Sequence, residues 1–242
     1  MRSIERLAAF AAAAAAAVLA VGTGCARGTG PAPGPQAARM SEHFTRAGQL
    51  YAAVAGGRID SVRVRAQEIL DHETGEGLPA RSMGYVDELR SFTSLAARAP
   101  DLESAASSVA RVGAACGACH TYLKRGPRYG GQIQTGPPPE ESDVAGRMHR
   151  HRWAADRLWE GLIGPSDEAW RAGAVVLRDA ALYTDALTRD VAQYEQVTKL
   201  TWTVHEIGAR ADVMTDRHQR AGLYGELLGT CARCHALLRG DR

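Results

Sequence analysis

The pentapeptide Cys-x-x-Cys-His occurs twice in this chain, at 116–120 and at 231–235. This spacing is the attachment signature of a c-type haem, whose two vinyl groups each take up one thiol as a thioether. Residues three apart on a helix share a face, so both sulfurs can reach one porphyrin edge. The histidine lies on the same face, where its imidazole can bind the iron as the proximal axial ligand. We therefore expect two covalently held haems c, attached through Cys116, Cys119, Cys231 and Cys234 and ligated by His120 and His235.

Two other sites can be built from paired cysteines. One Cys-x-x-Cys segment can form a redox disulfide, and two such segments can supply a four-cysteine zinc site. Neither alternative explains why a histidine follows the second cysteine both times. Neither explains why each motif closes a similar half of the chain. Both observations favour haem.

The first 24 residues have the pattern of a secretory signal peptide. Arg2 and Arg6 give a positive start, and the apolar stretch from Leu7 to Val21 is mostly alanine. A bilayer-spanning helix needs about 20 apolar residues, so this stretch favours a cleaved signal peptide over a permanent anchor. We expect the mature protein in the bacterial periplasm or cell envelope.

Cys25 is the one cysteine of five that lies outside the motifs. Gly24 and Cys25 resemble the end of a bacterial lipobox, in which the cysteine becomes the lipidated first residue. Gly22 departs from that pattern, because an aliphatic residue is usual there. Ordinary cleavage after Ala26 is the alternative. An unpaired thiol in an exported protein requires a reason, which either lipidation or removal with the signal peptide supplies. The motif itself favours a lipid anchor on Cys25.

Composition divides the remainder of the chain. Residues 25–39 are rich in Gly and Pro, which predicts a flexible tether, and the Pro- and Gly-rich segment 127–142 predicts a linker. Folded units are then expected at 40–126 and 143–242.

Apolar residues recur at helical spacing in both units, and no long stretch has the alternation of a strand. In the first unit we expect helices from Met40 to about Gly56, Ile59 to about Leu70, Ser82 to Ala97, and from Leu102 through the motif, with Asp101 as N-cap. In the second unit we expect a helix beginning near Met148, then Asp167–Ala180, Gln193 to about Arg210, and Asp216–Leu238.

The second unit repeats the first. Its opening helix matches that of the first unit at a constant offset of 108 residues, and the two motifs are 115 residues apart. Seven residues have therefore been gained between them, about two helical turns. The matching positions are Met40, His43, Ala47, Leu50, Tyr51, Val54 and Gly56 with Met148, His151, Ala155, Leu158, Trp159, Leu162 and Gly164.

Four helices with the haem motif on the last one resemble the cytochrome c′ family, here as two tandem copies over residues 40–242. Class I cytochromes c carry their motif near the start instead. The resemblance implies an all-α fold of two tandem four-helix bundles, each with a Cys-x-x-Cys-His haem site on its last helix. It also implies possible homodimerisation.

A methionine is the expected distal ligand in each unit, and a histidine one turn later is the alternative. The resemblance places a distal residue on the first helix, about sixteen residues before the glycine that ends it. Met40 and Met148 occupy that place, and His43 and His151 follow one turn later. Methionine and histidine both ligate haem iron. The other histidines, His72, His149, His205 and His218, have no matched partner and are predicted to be surface residues.

The leading functional hypothesis is a dihaem cytochrome that carries electrons between redox partner proteins and is not itself an enzyme. The alternative is a gas-binding or sensing protein for NO or CO, with a five-coordinate iron. The net charge of +2 gives no strong basic field, so nucleic acid is not an expected partner.

Overall fold

Helices form all the regular structure in the described part of the chain, which confirms the predicted all-α class. The computed structural model describes residues 34–73, 75–127, 136–140, 143–180 and 182–240. The predicted signal peptide, the lipidation site at Cys25 and the start of the tether lie outside the described residues. Within them, no helix is long and apolar enough to cross a membrane.

Each half of the chain contributes four long helices. In the first half they are α1 (Pro35–Ala55), α2 (Ile59–His72), α3 (Met83–Ala97, after a 3₁₀ turn at Ala80–Ser82) and α4 (Leu102–Leu123). In the second half they are α5 (Val144–Ile163), α6 (Asp167–Asp179), α8 (Val191–Val213) and α9 (Arg217–Arg239), with a short α7 (Thr184–Leu187) before α8.

Aspartate caps begin both motif-bearing helices. The carboxylate of Asp101 accepts a hydrogen bond from the backbone N–H of Ser104 at 2.7 Å, and that of Asp216 accepts one from His218 at 2.8 Å. Each carboxylate satisfies a backbone donor that has no partner within its helix and offsets the positive end of the helix dipole. The predicted N-cap at Asp101 is confirmed.

The first helix begins earlier than the sequence suggested. The predicted tether extended to residue 39, but α1 starts at Pro35. Proline suits the first position of a helix because its fixed φ is helical and its missing N–H would have no partner there. Residues 35–39 are therefore helical, and all five are exposed.

The extra residues of the second half lie mainly in its third long helix. Helix α8 has 23 residues, whereas α3, at the corresponding place in the first half, has 15. The short α7, which the sequence did not predict, precedes α8. Because the additional length lies within this helix, the pattern of the remaining helices is the same in both halves.

Residues 40–242 form one compact unit. It contains α1 from Met40 onward and all the other helices of the described residues. Within it, the most extensive helix pair is α4 with α9, and α4 also packs on α5. The two motif-bearing helices therefore lie against one another.

Equivalent residues of the two halves meet where these helices pack. A side chain at Gly225 would begin 3.5 Å from Cβ of Ala110, its counterpart 115 positions earlier. Likewise, the rings of Tyr51 and Trp159, which are 108 residues apart, have centroids 5.4 Å apart. Contacts between equivalent positions arise beside a two-fold axis. The halves are thus related by an approximate two-fold within one chain.

Trp159 is the largest side chain at this centre, and it is 2% exposed. It stacks on Tyr224 at 5.6 Å and packs on Tyr51. Its six-membered ring lies against Gly113 of α4, where an added Cβ would be 2.5 Å from Cζ3 of the indole. Glycine at 113 therefore makes room for the tryptophan between the halves.

Gly113→Ala is expected to lower the free energy of unfolding by about 1–3 kcal/mol, because the new methyl group would overlap a ring enclosed on several sides. Chemical denaturation of the purified protein, followed by far-UV circular dichroism, measures the change.

Gly222→Ala is the matched control. Gly222 is also inside a helix, α9, but has nothing within 4 Å of an added Cβ. This variant is expected to gain about 0.5–1 kcal/mol from helix propensity. Equal effects of the two substitutions would show that Gly113 is not at a tight contact.

Candidate functional site

The two Cys-x-x-Cys-His motifs lie in the last turns of α4 and α9. In both, the two cysteines and the histidine are half-buried. Ala118 and Arg233, the residues just before the second cysteine, are exposed. Each motif therefore turns its three functional side chains away from the solvent side of its helix.

The four thiols are strongly protonated. Burial raises the pKa of Cys116 to about 12, with smaller contributions from Cys119 and Glu73. Burial also raises the pKa of Cys231 to about 12, with a smaller contribution from Cys234. Redox-active Cys-x-x-Cys segments have the opposite property, a lowered pKa that yields a reactive thiolate. The environment of both motifs therefore disfavours the disulfide-exchange alternative.

A zinc site requires three or four ligands that converge on one point. All four motif cysteines belong to the described residues, and no three Cys, His, Asp or Glu side chains among those residues are grouped closely enough to hold a metal ion. The four-cysteine alternative thus finds no support. A haem differs in this respect, because the porphyrin supplies four nitrogen ligands itself.

Both motif histidines bind a backbone carbonyl through the same ring nitrogen. Nδ1 of His120 lies 2.8 Å from the carbonyl oxygen of Ile163, and Nδ1 of His235 lies 2.6 Å from that of Ala55. A carbonyl only accepts hydrogen bonds, so Nδ1 carries the proton in both rings. The lone pair is then on Nε2, the arrangement found in histidines that bind a metal.

His120 is also held in its neutral form. Burial lowers its pKa, although the hydrogen bond to Ile163 acts the other way, and the charge of His43 lowers it further. A neutral imidazole is the form that ligates iron. The first motif thus provides two protonated thiols and a neutral ring with Nε2 available, which fits a c-type haem.

His43 belongs to the surroundings of the first motif. Its Nε2 lies 2.9 Å from Oε2 of Glu73, the residue after α2. The charge of His43 acts on His120, and that of Glu73 acts on both Cys116 and Cys119. Of the four predicted distal residues, His43 is therefore the one that the described interactions connect to a motif.

Glu73 is held in place from three sides. The hydrogen bond from His43 is the main reason that its pKa is lowered. Its Oε1 also accepts a hydrogen bond from the backbone N–H of Gly75 at 2.8 Å, and Arg90 donates to its backbone carbonyl. Glu73 could not be selected from the sequence, because a single carboxylate in a loop belongs to no pattern.

His151, the counterpart of His43, has different partners. Its Nε2 donates to the carbonyl oxygen of Ala180 at 3.0 Å, and its ring meets His205 edge-on with centroids 6.1 Å apart. Burial lowers its pKa to about 4. The prediction that His205 is a surface residue was wrong, since this half-buried ring packs on His151 and donates from Nδ1 to Leu177.

Met40 and Met148 are half-buried on α1 and α5. The interactions described for this part of the chain connect neither methionine to a motif. Their predicted role as distal ligands is a matter for experiment.

Two acidic side chains of α5 lie beside Tyr224, which is also a neighbour of Cys231. Burial raises the pKa of Tyr224, and the charges of Asp156, Cys231 and Glu160 add to that effect. Burial also raises the pKa of Asp156 to about 6 and that of Glu160 to about 7. Glu160 forms a buried ion pair with Arg157.

In the first half, the positions equivalent to Asp156, Arg157 and Glu160 are Gly48, Gln49 and Ala52, which cannot ionise. The acidic side chains Asp156 and Glu160 of α5 therefore have no counterpart on α1. Comparison of the chain with protein-family models, with curated proteins and with solved structures finds no match.

Proposed function

We propose that this protein is a dihaem c-type cytochrome that carries electrons in the bacterial cell envelope. Each half is a haem-binding four-helix unit of the kind that the cytochrome c′ resemblance implies. The observation that carries the proposal is the position of the ring proton, which is on Nδ1 in both His120 and His235. Both donate from Nδ1 to a carbonyl, and both keep Nε2 for a metal.

The cysteines provide attachment without any change of oxidation state. Each thiol adds across one vinyl group, so its sulfur bonds to one vinyl carbon and its hydrogen passes to the other. Cys116 and Cys119 would hold one haem, and Cys231 and Cys234 would hold the other. Bound haem supplies an iron that gains or loses one electron. The protein's part is to attach it, orient its axial ligands and exclude water.

The surroundings of the first motif support a distal histidine. His43 is next to the motif, and because its Nε2 faces the carboxylate of Glu73, Nδ1 is the nitrogen left for the iron. We assign it as distal ligand of the first haem, in preference to Met40. In the second half, the described interactions of His151 are with Ala180 and His205 and not with the motif, so Met148 is assigned there instead.

This assignment gives the two haems different potentials. Methionine as an axial ligand raises the reduction potential relative to a second histidine. The haem at His235 is then the better electron acceptor, and electrons within the chain pass from the first haem to the second.

The hydrogen bond between His151 and Ala180 also supports the alternative function. If Met148 does not bind, His151 is still held by Ala180, and the second iron has an open face. The second site would then bind NO or CO, and the protein would act as a gas-binding haem protein or sensor.

Two covalent haems are expected on the purified holoprotein. Acid-acetone treatment should leave the colour with the polypeptide, and mass spectrometry should show two haem additions. The double variant Cys231→Ala/Cys234→Ala should retain one addition, on the peptide that contains Cys116 and Cys119. Release of the colour into acetone, or tightly bound zinc in its place, would contradict the proposal.

His43→Ala and Met148→Ala are each expected to convert one low-spin haem to a high-spin haem that binds CO. Met40→Ala and His151→Ala are the matched variants, one turn away on the same helices, and should leave both haems low-spin. Absorption spectra of the reduced protein with and without CO measure this. If Met40→Ala opens the first haem instead, its ligand is Met40. CO binding by the unaltered protein would favour the gas-binding alternative.

Lipidation at Cys25 is the basis for placing the protein at a membrane surface. Cys25→Ser should move the protein from the membrane fraction to the soluble fraction of the cell, because the substituted residue cannot take a thioether-linked lipid. Immunoblotting of the two fractions measures the change. A native protein that is already soluble would show that the signal peptide is cleaved without lipidation.

A further inference from the structure

Each motif histidine is held by the other half of the protein. His235, at the end of the second half, donates to Ala55 at the end of α1, and His120 donates to Ile163 at the end of α5. Ala55 and Ile163 are themselves equivalent, since they are 108 residues apart. The two hydrogen bonds are thus reciprocal, as expected for contacts related by an approximate two-fold axis.

The end of α1 is closely fitted to the second motif. Gly57 has φ +66°, and an added Cβ would lie 2.7 Å from the carbonyl oxygen of Ala232, the residue after Cys231. Arg239 donates to the carbonyl oxygens of Gly56 at 2.5 Å and Gly57 at 2.8 Å. The helix end is therefore fixed against α9 by backbone contact and by an arginine that satisfies its terminal carbonyls.

The end of α5 is fitted to the first motif with the same closeness. A Cβ at Gly117, between Cys116 and Cys119, would lie 2.2 Å from the carbonyl oxygen of Leu162. Any larger residue at 117 would separate the helix end from the motif, and with it Ile163 from His120. Both motifs are thus backed by the helix end of the opposite half.

We infer that the end of each half's first helix positions the proximal histidine of the other half's haem. Ala55 is the positioning residue for His235, and Ile163 is the positioning residue for His120. Neither half contains a complete haem site, and a change in the first half alters the second haem. This inference rests on the proposed function.

Loss of this positioning should change the reduction potential of the haem in a defined direction. Donation of the Nδ1 proton to a carbonyl increases the basicity of the imidazole as a ligand. A more basic ligand stabilises ferric iron and lowers the reduction potential. Weakening the bond between His235 and Ala55 should therefore raise the potential of the second haem.

Gly57→Ala in the full-length holoprotein tests the inference. The new methyl group must push the end of α1 away from Ala232, which lengthens the bond to His235. Potentiometric titration should show one of the two haems shifted to higher potential and the other unchanged. The same substitution in two full-length single-haem proteins, Cys231→Ala/Cys234→Ala and Cys116→Ala/Cys119→Ala, identifies the shifted haem. We expect it to be the one at Cys231.

Gly136→Ala is the matched control. Gly136 has nearly the same backbone angle, φ +68°, but nothing lies within 4 Å of an added Cβ. It carries the same backbone strain without the contact, so both potentials should stay unchanged. If Gly57→Ala does not fold, Arg239→Met removes the donor to the same helix end and should shift the same haem in the same direction.

A shift confined to the first haem, or no shift in either haem, would overturn the inference. Absence of covalent haem from the unaltered protein would instead defeat the proposed function. The inference is then decided by long-range ¹H–¹⁵N NMR of the full-length protein at neutral pH. His235 should be in the Nδ1–H form and change on Gly57→Ala, and an Nε2–H form would contradict the positioning role.

Discussion

The contact between α4 and α9 is the constraint on which the rest of the structure depends. These helices carry the two motifs, and their packing brings Ala110 against Gly225 at the centre of the protein. Once they are packed, the end of each first helix reaches the motif of the opposite half. Burial of the thiols and the state of both imidazoles follow from that placement.

Much of the secondary structure could be predicted because its signals are local. Asp101 caps α4, and α2 begins at Ile59 as helical spacing and the preceding Gly56–Gly57 pair indicated. Pro35 was assigned to a tether because proline and glycine are enriched in linkers, yet proline also suits the first position of a helix. The same residue type supports both assignments, so composition alone could not decide between them.

The arrangement of the site was harder to predict. The repeat shows which residues are equivalent, for example Ala55 and Ile163, but equivalence does not show which residues touch. Contacts of Glu73 with His43, and of His205 with His151, join segments that are distant in sequence and follow no periodic pattern. The motifs could be identified because their chemistry requires a fixed local spacing. Their partners come from tertiary packing, which one sequence does not reveal.

An approximate two-fold inside one chain permits what a symmetric dimer does not. In a dimer of identical subunits, a residue on the axis meets its own copy, so a glycine there faces a glycine. Here Ala110 faces Gly225, and Tyr51 faces Trp159. Each contact can therefore be filled by two residues of different size. The same freedom applies to Asp156 and Glu160, which stand only in the second half. The two halves can therefore keep one backbone arrangement while their charged residues differ, which under the proposed function lets the two haems take different potentials.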